Sequence, residues 1–391
     1  MTKPRPAWFW ILLLIGGAIG LMAIALVGVL VWAFMNVREF QRQPDTRDLR
    51  ARTQRMAEDY LAERSQGALV IGLVQRGSNY WLGFGHVSST NTNAPDNGTL
   101  FEIGSVTKAF TGIALARMVQ NGTLRLDDPI EKHLPSEVKL PVELRPITLV
   151  QLATHTAGLP RLPENLELSD ANAANPYARY TTDDLYQYLR IASLDRPPGR
   201  KSEYSNLGAG LLGHILELKA GTLYEQLLRE KICEPLDMPD TVVTLSAAQR
   251  ARLTPGHDAK GNVVSNWDFN VLGPAGGLRS CARDMLAFIQ ANLATNAPGL
   301  GPALTLAQKR HFESWLSKLG LCWQILEAPG LYQFHWHNGG TGGYASFIGF
   351  DVQHQTGVVL LSNYGDAMAS DDSLDQMGME LLKLAAKVSW E

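Results

Sequence analysis

The sequence predicts an α/β (α+β) fold: one mainly antiparallel sheet, flanked by helices and completed by both ends of the chain, with an all-helical region inserted beside it. Two groups of strand-like runs and the helical block between them predict it. Residues 68–75 (ALVIGLVQ) and 79–87 (NYWLGFGHV) are short runs rich in β-branched and aromatic residues around Arg76-Gly77-Ser78, the composition of two strands and a turn. Comparable runs return only late, at 320–327 (GLCWQILE), 331–338 (LYQFHWHN), 345–351 (ASFIGFD) and 357–364 (GVVLLSNY). Between the groups, apolar residues recur at helical spacing at 148–154, 182–192, 207–219 and 223–232, separated by Pro- and Gly-rich loops. Further helices are expected at 52–63 and, amphipathic, at 373–388. There is no internal repeat and no low-complexity tract.

With 391 residues and 45% hydrophobic content the chain can bury a sizeable core. A formal net charge of −3 and a pI of about 6.3 argue against a nucleic-acid partner, which calls for a basic face. Cys233, Cys281 and Cys322 lie far apart without metal spacing, and read as small core residues.

Residues 7–37 carry no charge between Arg5 and Arg38, and Trp8, Trp10 and Trp32 sit near the ends of the run. A bilayer core needs roughly 20 apolar residues and favours indoles at its interfaces, so this segment reads as a retained transmembrane anchor. A cleaved signal peptide would have a shorter apolar core. Counting positive charges alone, with five arginines after the span at 38, 42, 47, 50 and 52, keeps the body inside, although long domains translocate regardless of charge. The expected division is an anchor at 1–37, a juxtamembrane tether at 38–51 and a single domain at 52–391. Within that domain the sheet part covers about 52–100 and 265–391, and the helical part about 101–264.

The candidate chemistry starts in FEIGSVTKAFTGIALARMVQNG, residues 101–122. Ser105 and Lys108 stand at the mouth of an apolar helix that stops at Asn121-Gly122, and residues three apart share a helix face. A lysine whose pKa is lowered by burial and cationic neighbours can deprotonate a serine, and a helix N-terminus favours the resulting negative charge. Ser136 and Lys139 repeat the spacing between Pro135 and Pro141, in a segment with no helical apolar face to hold them together. Tyr204-Ser205-Asn206 follows a Pro-Pro-Gly turn and precedes another apolar helix, where the Asn amide offers both a donor and an acceptor. HNGGTGGY, residues 337–344, ends a strand, and its glycines let backbone N–H groups approach a substrate closely. His335 and His337 share a face there, but no third ligand stands at a telling spacing, so neither a metal nor a cofactor is expected.

SVTK, YSN and HNG, in this order and with these separations, resemble the penicillin-recognising serine enzymes, most closely the branch of class C β-lactamases, D-Ala-D-Ala carboxypeptidases and esterases. LRLDDPIEKHLP, ITLVQLATHTAGLP, CEPLDMPDT and AGGLRSCARDMLAFI are similar to that branch as well, and the resemblance covers roughly residues 55–390. It implies a β-lactamase-like fold and Ser105 as nucleophile, with Lys108 and Tyr204 as proton-transfer partners. It also implies Asn206 as a ligand of the substrate amide, and the backbone N–H groups of Ser105 and Gly340, beside Gly339, as oxyanion donors. The expected substrates are small molecules, peptidoglycan peptides or esters, met by a body outside the cytoplasmic membrane. The departure is His337, where many class C β-lactamases have lysine. A histidine only partly charged near neutrality would hold a substrate carboxylate less firmly, which places a carboxypeptidase or esterase ahead of a β-lactamase. A penicillin sensor that deacylates slowly is the alternative.

Overall fold

In the computed structural model, which describes residues 49–169, 173–294, 297, 299–365 and 373–390, the early and late apolar runs pair into one sheet. Its strands, together with a separate pair, are β1 (Ala68–Gln75), β2 (Ser78–Gly85), β3 (Leu100–Glu102), β4 (Arg279–Cys281), β5 (Phe312–Glu313), β6 (Lys318–Leu319), β7 (Gln324–Ala328), β8 (Tyr332–Gly340), β9 (Ala345–Asp351) and β10 (Thr356–Ser362). The eight-stranded sheet runs β2-β1-β10-β9-β8-β7-β6-β5, and β3 pairs with β4 outside it. The first two strands are joined to the rest through the antiparallel β1–β10 ladder, in which Ile71 faces Leu360. The expectation of an antiparallel sheet completed by both chain ends is therefore met.

The helices are α1 (Leu49–Leu61), α2 (Thr107–Gln120), α3 (Leu149–Ala153), α4 (Thr182–Ile191), α5 (Asn206–Ala220), α6 (Tyr224–Leu228), α7 (Ala247–Arg250), α8 (Ala282–Ala294), α9 (Gly301–Gln308) and α10 (Ser373–Ala385). The central strands carry apolar residues on both faces because both faces are covered. On one side α8 lies close enough that a methyl group on Gly72 or Gly357 would press on Leu286 or Ile289. On the other, α10 brings Leu382 against Gly349 and Gly378 against Phe347. Val70, Phe350 and Val359 of the sheet, Phe110 and Ile113 of α2 and Leu211 of α5 belong to one continuous apolar core. That core clamps α2 beneath the sheet and fixes where its N-terminus emerges.

Two kinds of difference from expectation have local causes. The strand expected from residue 320 begins at Gln324, because Gly320 N–H donates to Trp323 O and Cys322 takes a left-handed backbone with φ +58°. Helix α1 starts at Leu49 rather than 52, since Leu49 itself is buried (1% exposed). All three cysteines are buried and free. The described body comprises residues 49–327 and 332–390, and residues 328–331 make a turn closed by Leu331 N–H on Ala328 O. No helix among the described residues is long and apolar enough to cross a membrane. The expected anchor at 7–37 lies outside them, as does most of the tether at 38–51.

Candidate active site

Strand β3 delivers the chain to Gly104, whose φ of +47° favours glycine and where a methyl group would fall 2.7 Å from Gly340 N. The tight turn Gly104–Val106 then enters α2, which is buried over nearly all its length. Ser105 is half-buried and opens on a cleft of about 500 Å³. One turn on, Lys108 is 0% exposed, with its Nζ 3.0 Å from Ser105 Oγ.

The same nitrogen donates to Asn206 Oδ1 at 2.8 Å and to Ala275 O at 2.6 Å. Both of those atoms only accept, whereas a serine hydroxyl can donate. A neutral amine has two N–H groups and one lone pair, so this set of neighbours suits the unprotonated form, with the lone pair turned to the Ser105 hydroxyl. Electrostatics point the same way. Burial lowers the Lys108 pKa well below the ordinary lysine value, and the Arg161 guanidinium adds to it.

Tyr204 completes this corner. Lys108 Nζ lies 4.7 Å from the centre of its ring and the Arg161 guanidinium carbon 5.2 Å. The ring keeps part of its surface open to the cleft, while crowding around the phenol raises its pKa by desolvation, opposed by a hydrogen bond with Ser105. Behind it stands His155, with ring centres 4.6 Å apart. His155 Nδ1 accepts from Ser205 N–H at 3.2 Å, and its carbonyl accepts from Glu203 N–H at 2.8 Å, so this buried residue, with φ +55°, anchors the loop on both sides of Tyr204. Burial pushes its pKa well below the usual imidazole value. Ser205, not Asn206, caps α5, by accepting from Gly208 N–H at 2.8 Å. That leaves the Asn206 amide free for the site, where Oδ1 takes Lys108 and Nδ2 donates to Tyr177 OH at 3.2 Å.

The end of β8 closes the opposite wall. A methyl group on Gly339 would stand 2.1 Å from Ile103 O and 2.9 Å from Ser105 N, so only glycine lets this strand approach the nucleophile. Ser346 Oγ donates to Ile103 O at 2.8 Å and ties β9 to the same turn. Ser105 and Gly340 both line the cleft, as the two donors of an oxyanion hole would.

His337 departs from expectation. Instead of presenting an imidazolium to the cleft it is buried (2% exposed), Nδ1 donates to Asn338 O at 2.6 Å, and its ring centre is 6.2 Å from that of Tyr204. Burial lowers its pKa to about 3, and Lys108 acts in the same sense. Burial thus favours a neutral imidazole bordering Tyr204, where the sequence motif led to a partly charged one. His335 is also buried and bonded through Nε2 to Gln308 O at 3.0 Å. Among the described residues the cluster with metal-ligand spacing is Asp240, Cys281 and Asp284. Its carboxylates are taken by Arg252 and Arg283, which makes it an ion-paired network.

The structure therefore gathers Ser105, Lys108, Tyr204, Asn206, Gly339 and Gly340 around one cleft, with His337 just behind it. His155, Tyr177 and Arg161 had not been singled out. They sit in loops without periodicity, and only the string ITLVQLATHTAGLP hinted at the first.

The Beta-lactamase family model matches residues 53–380. The chain is 30% identical over 297 residues to D-alanyl-D-alanine-carboxypeptidase/endopeptidase AmpH of Escherichia coli K12, covering 71% of this chain and 74% of that protein. Its fold is similar to the class C beta lactamase from Rhodobacter sphaeroides, with a TM-score of 0.73 at 24% identity over 84% and 97% of the two chains. It is also similar to the Beta-Lactamase/D-Alanine Carboxypeptidase from Pseudomonas syringae, with a TM-score of 0.75 at 20% identity over 86% and 98%. With the family model spanning most of its length and the sheet-and-helix architecture shared, the chain belongs to the beta-lactamase family of serine hydrolases.

Proposed function

We propose that this protein is a membrane-anchored acyl-transfer hydrolase that forms an acyl-enzyme at Ser105 and acts chiefly as a D-alanyl-D-alanine carboxypeptidase or an esterase. The observation that carries the reading is Lys108 Nζ, 3.0 Å from Ser105 Oγ and donating to two carbonyl oxygens. In the first step the neutral amine takes the Ser105 proton as Oγ attacks the substrate carbonyl. Ser105 N–H and Gly340 N–H hold the developing oxyanion, and a proton returns through Lys108 or Tyr204 to the leaving group. Water then attacks the acyl carbonyl while giving a proton to the same pair, which returns it to Ser105 Oγ as the acyl C–Oγ bond breaks and the acid leaves. Asn206 fixes the Lys108 amine throughout.

Two things support the peptidase or esterase over the β-lactamase reading. The relative from Escherichia coli K12 is named a carboxypeptidase/endopeptidase, and the third motif here offers a buried neutral histidine rather than a lysine. Other relatives are named beta-lactamases, so penicillin hydrolysis is the second reading. The uncharged run at 7–37 supports a single-pass anchor in the cytoplasmic membrane with the body on its outer side, where peptidoglycan peptides and β-lactams are met.

The test is full-length protein in detergent, given a short peptide ending in D-Ala-D-Ala, a simple ester and a penicillin. Release of D-alanine or of the alcohol, with penicillin held as a slowly cleared adduct, supports the proposal. Rapid penicillin turnover without either release would shift the assignment to β-lactamase, and a permanent adduct without any turnover to a sensor. A reporter fused after Glu391 that is active only in the cytoplasm would overturn the proposed sidedness.

A further inference from the structure

A peptidase or lactam-cleaving cleft meets substrates that carry a carboxylate, and this one lacks the charge expected at its third motif. His337 is buried, with Nδ1 committed to Asn338 O. Lys108 is enclosed, and its nitrogen is shared among Ser105, Asn206 and Ala275. Of the described basic residues lining the cleft, Arg64 donates to Tyr60 O at 2.5 Å and lies 4.0 Å over the Tyr60 ring. The other is Arg161. It is exposed, and among the described residues its guanidinium forms neither an ion pair nor a side-chain hydrogen bond.

Its position is nonetheless fixed. Arg161 O accepts from Asn206 N–H at 2.9 Å and from Leu207 N–H at 3.3 Å, so its backbone is pinned to the first turn of α5, the element that also presents Asn206. Its guanidinium carbon stands 5.2 Å from the Tyr204 ring centre. Across the cleft lining, Tyr177 stacks on Phe269 at 4.5 Å and meets Trp267 edge-on at 5.5 Å. These rings give an apolar wall that lowers the local dielectric for a charge bound beside it.

We infer that Arg161 is the specificity-determining residue of this cleft, its guanidinium receiving a carboxylate carried by the substrate. A guanidinium is permanently charged and its planar fork matches a carboxylate with two parallel N–H···O bonds. Its place 5.2 Å from the Tyr204 ring centre, on the cleft that Ser105 also lines, puts that fork within the reacting cleft. The inference rests on the acyl-transfer reading of Ser105 and names the chemistry that reading left open.

The experiment uses full-length protein and two matched pairs of nitrophenyl esters. In one pair the acyl chain ends in a carboxylate (hemiglutarate) or in its methyl ester. In the other the carboxylate is on the phenol ring or absent. For each pair the ratio of kcat/KM, carboxylate over neutral twin, is measured in wild type, Arg161→Gln and Arg161→Lys. A charge-assisted pair predicts that Arg161→Gln lowers the ratio about 10- to 100-fold in at least one pair, with Arg161→Lys in between. The pair that responds says whether the carboxylate belongs to the acyl or the leaving group. A ratio that Arg161→Gln leaves unchanged or raises in both pairs overturns the inference, because a residue acting only on Tyr204 or Lys108 would slow both twins alike. Failure of the underlying reading looks different, as ester turnover that survives Ser105→Ala.

Discussion

Ser-x-x-Lys occurs twice in this chain, at Ser105–Lys108 and at Ser136–Lys139, and the two copies differ in every property that matters to proton transfer. The first straddles the entry to α2, with the lysine fully buried and its nitrogen held by three oxygens. The second lies in an exposed turn, where among the described residues Ser136 Oγ reaches only the neighbouring Glu137 carboxylate at 3.4 Å and Lys139 is exposed. A lysine in water keeps its proton at neutral pH, and its flexible stem holds no fixed distance to a serine. Burial supplies what spacing cannot: it lowers the ammonium pKa and removes the alternatives to the Ser105 hydroxyl.

The largest effect that probes this difference is Lys108→Ala, which is expected to slow acylation by about 10² to 10⁴. A loss under tenfold would hand the base role to Tyr204. The pH profile sharpens the same point. Because burial lowers the Lys108 pKa, the reactive amine is present above that lowered value and is lost as pH falls through it. The acid limb of acylation therefore stands well below the ordinary lysine value of about 10.4, and a limb near that value would contradict the burial argument.

Next in size is Gly339→Ala. Its methyl group would meet Ile103 O at 2.1 Å, forcing β8 away from Ser105, and displacement of an oxyanion donor by about an ångström costs on the order of 10²-fold in kcat. Unchanged kcat would mean that the strand end does not take part. A smaller effect concerns His337. With its pKa lowered to about 3 by burial, the side chain gains charge only as pH falls through that value, so the preference for a carboxylate ester over its neutral twin stays flat from about pH 8 to 5. A rise through about 6.5, the ordinary His value, would restore the imidazolium role and remove the neutral one. At the bottom of the scale, Ser136→Ala and Lys139→Ala are expected to change stability by less than about 0.5 kcal/mol in denaturant titrations and to leave acylation untouched.

The sheet runs and α2 were legible because their apolar residues follow the spacing of the structure that buries them. Ser105 and Lys108 were legible because that spacing placed them at a helix mouth, and the same reasoning discounted Ser136 and Lys139. What escaped is set by tertiary contact. His155 acts through Nδ1 and its carbonyl on a loop about fifty residues away in sequence, and Ala275 contributes only a backbone oxygen, which no side-chain pattern reveals. His337 was found, but its burial and its bond to Asn338 O, which bear on its charge, are tertiary and do not show in its neighbours in sequence. Helices α8 and α9 and the β3–β4 pair went unassigned. The pair consists of three-residue strands joined across nearly half of the chain, from Leu100 to Cys281, too short to carry a period.

The most direct test of the central claim, that Ser105 is the nucleophile made reactive by Lys108, is intact-mass analysis after exposure to a penicillin, followed by peptide mapping. The account predicts one adduct per wild-type chain, located on the peptide containing Ser105, absent from Ser105→Ala and present at the wild-type level in Ser136→Ala. An adduct of equal yield on Ser105→Ala would contradict it.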